Sequence, residues 1–405
     1  MIHIQGNLRE EAMMKKKLAF LFASLFILGA CSASPTGKSS SSADGGNKQT
    51  GDTIKIGVNL ELSGAVAGYG SQEKDGIELA VEQINNDGGI LGKKVELVVK
   101  DNKSDNNEAA TAAANLATND DVVAIIGPAT SGASKAVIPN ITKAQVPFIT
   151  PSGTDDSVTM SNGKVQEYVF RSSFQDSFQG KVLAQYATEK LDSKKVAILG
   201  DNSSDYAIGL TKAFKSEYKG DIAIEENFTS GDKDFQAVLT KIKNSDFDVL
   251  YVPGYYEEAG LIIKQAREMG ITQPILGADG FGDEKIIQLA GASNVTDVYY
   301  TGHFSILAPA NDTVQPFIDA YKEKFGTEPS TFNALAYDAM NMIKQAIIDQ
   351  NSADSAAITK GLANLKDFEG VTGNITIDKD HNPEKSVVII KYTDGKERSA
   401  ETINP

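Results

Sequence analysis

From about residue 52 onward, short apolar runs alternate with longer stretches whose apolar positions recur every three or four residues. Ile54, Ile56, Val58 and Leu60 alternate as along one face of a strand, and Ile77, Ala80, Val81 and Ile84 follow at helical spacing. The run 95–99 leads to Ala109, Ala112, Ala113 and Leu116, the run 122–126 to a helix after Gly132, and 147–150 closes the series. After Arg171 the same order recurs. A strand at 196–199 precedes Leu210, Ala213 and Phe214; Ile222 and Ile224 precede Phe235, Val238, Leu239 and Ile242; the run 249–252 precedes Ile262, Ala266 and Met269; and Ile275 and Leu276 end it. Strand and helix in alternation predict parallel sheets covered on both faces, so the fold class is α/β with two similar open parallel-sheet lobes. A helix-rich stretch at 316–365 and strand-like segments at 374–377 and 386–392 come after both series are complete. The chain is therefore expected to return to the first lobe and cross again, with crossings near 171–176, 301–304 and 367–373. This divides it into lobe 1 (52–173 plus 304–367) and lobe 2 (174–303 plus 368–405), joined by a multi-crossover hinge.

The start of the chain does not follow this pattern. Lys15, Lys16 and Lys17 precede an apolar run at 18–28, and Leu28-Gly29-Ala30 leads into Cys31 with the small-residue spacing of a cleaved bacterial lipoprotein signal. Met13 or Met14 would start that signal, leaving 1–12 as an upstream extension and 1–30 as removed. Cys31, the single cysteine, would carry lipid, and an intramolecular disulfide is impossible. The polar Ser-, Gly- and Lys-rich segment 31–51 reads as a flexible tether. About 350 residues remain, more than one core usually organises. Residues 1–30 carry four basic and two acidic residues, so their removal takes the net charge from −15 to −17. That balance argues against a nucleic-acid partner, which needs clustered Lys and Arg.

Candidate chemistry lies where strands end, because open α/β sheets bind ligands beyond their carboxyl edges. The first lobe presents Ser63 to Gly70 with Tyr69, Gly127 to Gly132 with Ser131, and Thr150-Pro151-Ser152-Gly153-Thr154. Helix-start N–H groups beside Ser and Thr hydroxyls make a carboxylate site without a charged side chain. The second lobe presents Asp201 to Tyr206, then Pro253-Gly254-Tyr255-Tyr256, then Gly277-Ala278-Asp279-Gly280. One lobe would hold an anion and the other a cation, as the two ends of an amino-acid zwitterion require. Each feature has a plainer reading: Ser131, Ser152 and Thr154 as helix caps, Asp279 as a turn residue, the tyrosines as packing.

Leu62 to Gly70, Asn85-Asn86-Asp87-Gly88-Gly89-Ile90-Leu91-Gly92, Gly127 to Gly132 and Thr150 to Thr154 together resemble the branched-chain amino-acid binding proteins of ABC importers, over about residues 53–392. The resemblance implies a type I periplasmic-binding fold. It assigns the ligand carboxylate and amino group to Ser131 and the Ser152-Gly153-Thr154 loop, the ammonium to Asp279, and the cleft walls to Tyr69, Tyr206, Tyr255 and Tyr337. Asp279 stands where a glutamate is common. The protein so implied is a monomeric, exported lipoprotein on the extracytoplasmic face of the membrane, held there by lipid on Cys31. It would pass a free amino acid to permease subunits and use no cofactor or metal.

Two rival readings remain. An exported hydrolase lacks its usual parts: His303 and His381 form no paired-ligand spacing, no Gly-x-Ser-x-Gly elbow occurs, and Ser71-x-x-Lys74 and Ser161-x-x-Lys164 lack companion motifs. The run Asp101 to Asp105 departs from a calcium loop at Lys103, Asn106 and Ala112, and Gly68 and Gly70 lack the third glycine of a dinucleotide fingerprint. A ligand sensor of the same fold is the second rival; the absence of a transmembrane or signalling segment after Pro405 favours the transporter role.

Overall fold

The structure, a computed structural model, describes residues 46–48 and 51–404. The expected signal and Cys31 lie outside the described residues, as does most of the tether. Residues 46–48 are held against the first lobe: Asn47 Nδ2 donates to Ala117 O (2.8 Å) and Val122 O (2.7 Å), and its N–H to Ser355 Oγ (3.2 Å). The folded part thus begins before residue 52.

Lobe 1 opens with β1 (Thr53–Leu60), α1 (Ala67–Asn86), β2 (Lys94–Asp101), α2 (Asn106–Thr118), β3 (Ala124–Ile126), α3 (Ser131–Ala144) and β4 (Phe148–Thr150). A small hairpin, β5 (Met160–Ser161) and β6 (Lys164–Val165), precedes β7 (Val169–Arg171). The five-stranded sheet runs β2-β1-β3-β4-β7, all parallel. Strands β3, β4 and β7 are buried at every residue, which is why they read as continuous apolar runs and not as alternation.

The second lobe contains α4 (Asp176–Glu189), β8 (Lys195–Asp201), α5 (Asp205–Glu217), β9 (Asp221–Phe228), α6 (Gln236–Lys243), β10 (Val249–Tyr251), α7 (Tyr256–Glu268), β11 (Ile275–Gly277), α8 (Lys285–Ala290) and β12 (Val298–Gly302). The chain then forms α9 (Val314–Phe325), α10 (Thr331–Gln350) and α11 (Ser355–Ala363), of which α9 and α10 pack on α1 and α11 packs on α10. A short sheet of β13 (Phe368–Gly370), β14 (Gly373–Ile377) and β15 (Pro383–Glu384) leads to β16 (Val387–Thr393) and β17 (Lys396–Ile403). These last two join the second sheet, giving the seven-stranded order β17-β16-β12-β11-β10-β8-β9. They pair antiparallel, unlike the rest.

Strand β17 is invisible to periodicity because it is a charged, half-exposed edge. The signal that finds it is the turn Asp394-Gly395, both at positive φ, the geometry of a tight hairpin. Helix α4 was also missed.

Where the chain crosses between lobes, polar groups fix the strands to one another. The Asp338 carboxylate, on α10, accepts from Val371 N (2.8 Å), Thr372 N (2.9 Å) and Thr372 Oγ1 (2.6 Å). Buried Lys385 donates to Ser172 O (3.1 Å) and to Thr372 Oγ1. Burial draws the Lys385 ammonium down to about 7, with Asp338 acting in the opposite direction. Fully buried Arg171 donates to Gly153 O (3.0 Å) and Asp155 O (2.8 Å), tying a crossing strand to the loop after β4.

Helices α1 and α10 touch where Gly76 faces the backbone of Asn333. A Cβ at Gly76 would stand 2.1 Å from Asn333 O. Ala in place of Gly within a helix usually stabilises by about 1 kcal/mol, but here it should destabilise by about 1–3 kcal/mol through overpacking. Gly76→Ala should therefore lower the denaturant midpoint at unchanged slope; a raised midpoint would show that the helices can separate at no cost.

Candidate functional site

Lobe 1 contributes loops whose own polar groups are tied down, leaving helix-start N–H groups free. Glu61, just past β1, accepts from Ala129 N (3.0 Å), Thr130 N (3.1 Å) and Thr130 Oγ1 (2.8 Å). Thr130 is the N-cap of α3, and with its hydroxyl committed to Glu61 the helix start has no side-chain cap. Ser131 is the first helical residue and not the cap. Its Oγ accepts from Asp155 N (3.1 Å), so its hydroxyl proton is available to a ligand. The loop after β4 is drawn tight by Thr150, whose hydroxyl donates to Pro128 O (2.6 Å) and accepts from Gly153 N (2.8 Å). A Cβ on Gly153 would stand 2.6 Å from Thr150 Oγ1, so the turn needs glycine. Ser152 Oγ lies 2.5 Å from Glu73 Oε1 and 2.9 Å from Ala129 O. Thr154 is fully buried, and among the described residues its Oγ1 has no hydrogen-bond partner.

Lobe 2 contributes an acid. Asp279 begins a single 3-10 turn after β11 and is 2% exposed. Its side chain is not spent on that turn: Oδ1 accepts from Tyr206 OH (2.6 Å) and Gln179 Nε2 (3.0 Å), and Oδ2 faces His303 Nε2 at 3.4 Å. Burial, then the Asp279 charge, keeps the Tyr206 hydroxyl protonated as a donor. Gln179 Nε2 also reaches Asp176 Oδ1 (2.8 Å), and its Oε1 accepts from Thr301 Oγ1 (2.7 Å). Desolvation, with Asp279 adding to it, raises the Asp176 carboxyl well above the usual range. Desolvation lowers His303 to about 4, so at neutral pH its ring is uncharged. That ring stacks on Phe174 at 3.7 Å.

The lobes meet through the first turns of α1 and α7. Tyr69 OH donates to Gly280 O (2.6 Å) and accepts from Tyr256 N (3.1 Å), while Gly68 N donates to Tyr256 OH (3.2 Å). Gln72 Nε2 donates across to Asp283 Oδ2 (2.8 Å). Between them lies a small cavity of about 240 Å³, part of it open to solvent. Tyr69, Ser131, Ser152, Tyr206, Tyr255 and Asp279 line it, and Phe332 completes the wall. Tyr206 and Tyr255 stack at 5.0 Å with rings 3° apart, and Phe332 sits 4.5 Å from Tyr69.

Gly153 and Thr154 are not lining residues; they lie in the loop that carries Ser152. Tyr337 is misplaced by the sequence reading. Its hydroxyl donates to Gln83 Oε1 (2.7 Å) and its ring packs on Phe317, within the helical layer of lobe 1. Phe332 supplies that wall instead. Gln179 and His303 were also missed, because no local pattern marks residues that meet Asp279 only through tertiary crossings. A larger cavity of about 1,110 Å³ at the lobe junction presents Asp75, Glu284, Glu328 and Glu397 but no basic residue, and would repel a carboxylate.

Two α/β lobes closed over a small cavity, with an anion-accepting loop on one wall and an acid on the other, define a solute-binding protein. The family model of the periplasmic binding protein matches residues 53–397. The chain is 34% identical over 348 residues to Leu/Ile/Val-binding protein homolog 3 of Brucella melitensis, covering 85% of this chain and 92% of that one. It is 30% identical over 372 residues to the leucine-, isoleucine-, valine-, threonine-, and alanine-binding protein of Pseudomonas aeruginosa, covering 90% and 94%. Among solved structures, the branched-chain amino acid transporter substrate binding protein LivJ from Streptococcus pneumoniae in complex with isoleucine is 49% identical, with a TM-score of 0.83 over 87% of this chain and 100% of that one. The leucine binding protein LivK from Thermotoga maritima is 35% identical, with a TM-score of 0.82 over 87% and 99%. The chain belongs to the periplasmic binding protein family, among the substrate-binding proteins of branched-chain amino acid ABC transporters. Such relatives bind solutes and are not enzymes, which removes the hydrolase reading.

Proposed function

We propose that the protein captures leucine, isoleucine or valine outside the cytoplasm and delivers it to the permease of an ABC importer. The observation that carries this reading is the opposition, across one small cavity between the lobes, of Asp279 on lobe 2 and the uncapped start of α3 with Ser131 on lobe 1. A free amino acid matches both ends. Its carboxylate would take the Ser131 hydroxyl and the N–H groups of α3 and the Ser152 loop, as anions do at helix starts. Its ammonium would take Asp279. The aromatic wall of Tyr69, Tyr255 and Phe332 suits an aliphatic side chain, and the bond-tied lobe contacts exclude water, which strengthens each charge interaction.

Asp279→Asn keeps shape and removes charge. Loss of one partner of a desolvated, hydrogen-bonded ion pair costs about 2–5 kcal/mol, so isoleucine affinity by calorimetry should fall by roughly thirtyfold or more. Ser131→Ala should cost less, because the N–H groups remain. Undiminished affinity in Asp279→Asn would move the ammonium site elsewhere.

Attachment to the membrane is proposed at Cys31, from the basic triplet, apolar run and small residues that precede it. Cys31→Ser should leave the membrane fraction with unaltered isoleucine affinity; continued membrane association would contradict lipid attachment.

A further inference from the structure

Lobe 1 buries two acids beside the loops that face the ligand carboxylate, and the protein solvates them very differently. Glu61 is 0% exposed and receives three donors. Glu73, on α1, is equally buried but meets one polar group: Oε1 lies 2.5 Å from Ser152 Oγ, and among the described residues Oε2 has no partner. Ser152 has one hydroxyl proton and two oxygens facing it, Glu73 Oε1 and Ala129 O at 2.9 Å. The carbonyl of Ala129 can only accept. If Ser152 donates to Ala129, the contact with Glu73 needs a second proton, and the Glu73 carboxyl is the group that can carry it. An ionised Glu73 would instead leave a charged oxygen buried with no donor, which protein interiors avoid.

We propose that Glu73 is a positioning residue that works as a neutral acid, donating to Ser152 Oγ so that the Ser152 loop is held in place without adding a second negative charge to the carboxylate side of the cleft. Burial raises the Glu73 carboxyl well above the usual range, outweighing the Ser152 contact, and the charge of Glu61 raises it further. Glu61, beyond β1, is the charged group acting on it; the loop after β4 presents the neutral Ser152 hydroxyl, and α10 meets this stretch of α1 through neutral Asn333, whose Nδ2 donates to Gln72 O (2.6 Å). The positioning role rests on the amino-acid reading above, whereas the protonation state does not.

The test is Glu73→Gln in two measurements. In ligand-free protein, an acid whose folded pKa is raised loses its contribution to stability as pH rises above its unfolded pKa of about 4.3. The Gln variant should therefore gain on the unmodified protein in unfolding midpoint from about pH 5 to about pH 8. A difference in midpoint, variant minus unmodified, that stays constant or falls over that range would mean an ionised Glu73 and overturn the proposal. In isoleucine calorimetry near neutral pH, Gln can still donate to Ser152 and should bind within about threefold of the unmodified protein, while Glu73→Ala, verified as folded, should lose about tenfold. Gln binding as poorly as Ala, or Ala binding as well as the unmodified protein, would overturn the positioning role. If unmodified protein bound no isoleucine, the ligand reading would fail while the unfolding measurement still decided the state of Glu73.

Discussion

Asp279 is an acid taken out of water and given hydrogen bonds but no cation. Tyr206 and Gln179 donate to it, and the basic side chain that faces it, His303, has its ring kept neutral by burial. The neighbouring acid Asp176 is pushed towards its protonated form, so lobe 2 concentrates its demand for positive charge at Asp279. Lobe 1 has the complementary need: orphan N–H groups at an uncapped helix start, with the capping hydroxyl diverted to Glu61. Neither lobe can answer the other, because acid and donors stand on opposite walls. A zwitterion placed between them, as proposed, would satisfy both, and that need would organise the cleft.

Closure must then be possible without unfolding either lobe, which the hinge provides. Two of the crossing passages converge where Ser172, Thr372 and Lys385 share hydrogen bonds, with Asp338 of α10 beneath them. A buried ammonium drawn down to about 7 is a costly staple, tolerated because it joins strands that belong to both lobes. Across the cleft mouth the contacts differ in kind: hydroxyl-to-backbone bonds of Tyr69 and Tyr256 and the side-chain bond from Gln72 to Asp283, which can be exchanged for water when the lobes part.

Two-lobed α/β architecture was legible because sheet strands covered on both faces must be apolar throughout and helices must be apolar on one side. The loops bearing Tyr69, Ser131, Ser152, Tyr206, Tyr255 and Asp279 were legible because this architecture gathers strand ends at one edge. Tyr337 fails for a geometric reason. It lies five residues beyond Phe332 on α10, about 140° around the helix, so a helix that turns Phe332 into the cleft turns Tyr337 towards Gln83 and Phe317. Glu73, Gln179 and His303 escaped because each acquires its role from a partner more than twenty residues away. A lone Glu on an apolar helix face carries no mark of being neutral; only the count of protons at Ser152 supplies it.

The central claim is that the ligand bridges two lobes that otherwise have unmet charge and donors facing each other. Small-angle scattering on the same protein, with and without saturating isoleucine, tests this most directly. The account predicts a smaller radius of gyration in the presence of isoleucine, as the contacts between the starts of α1 and α7 close over the bound amino acid. An unchanged radius, with binding demonstrated by calorimetry in the same buffer, would contradict it.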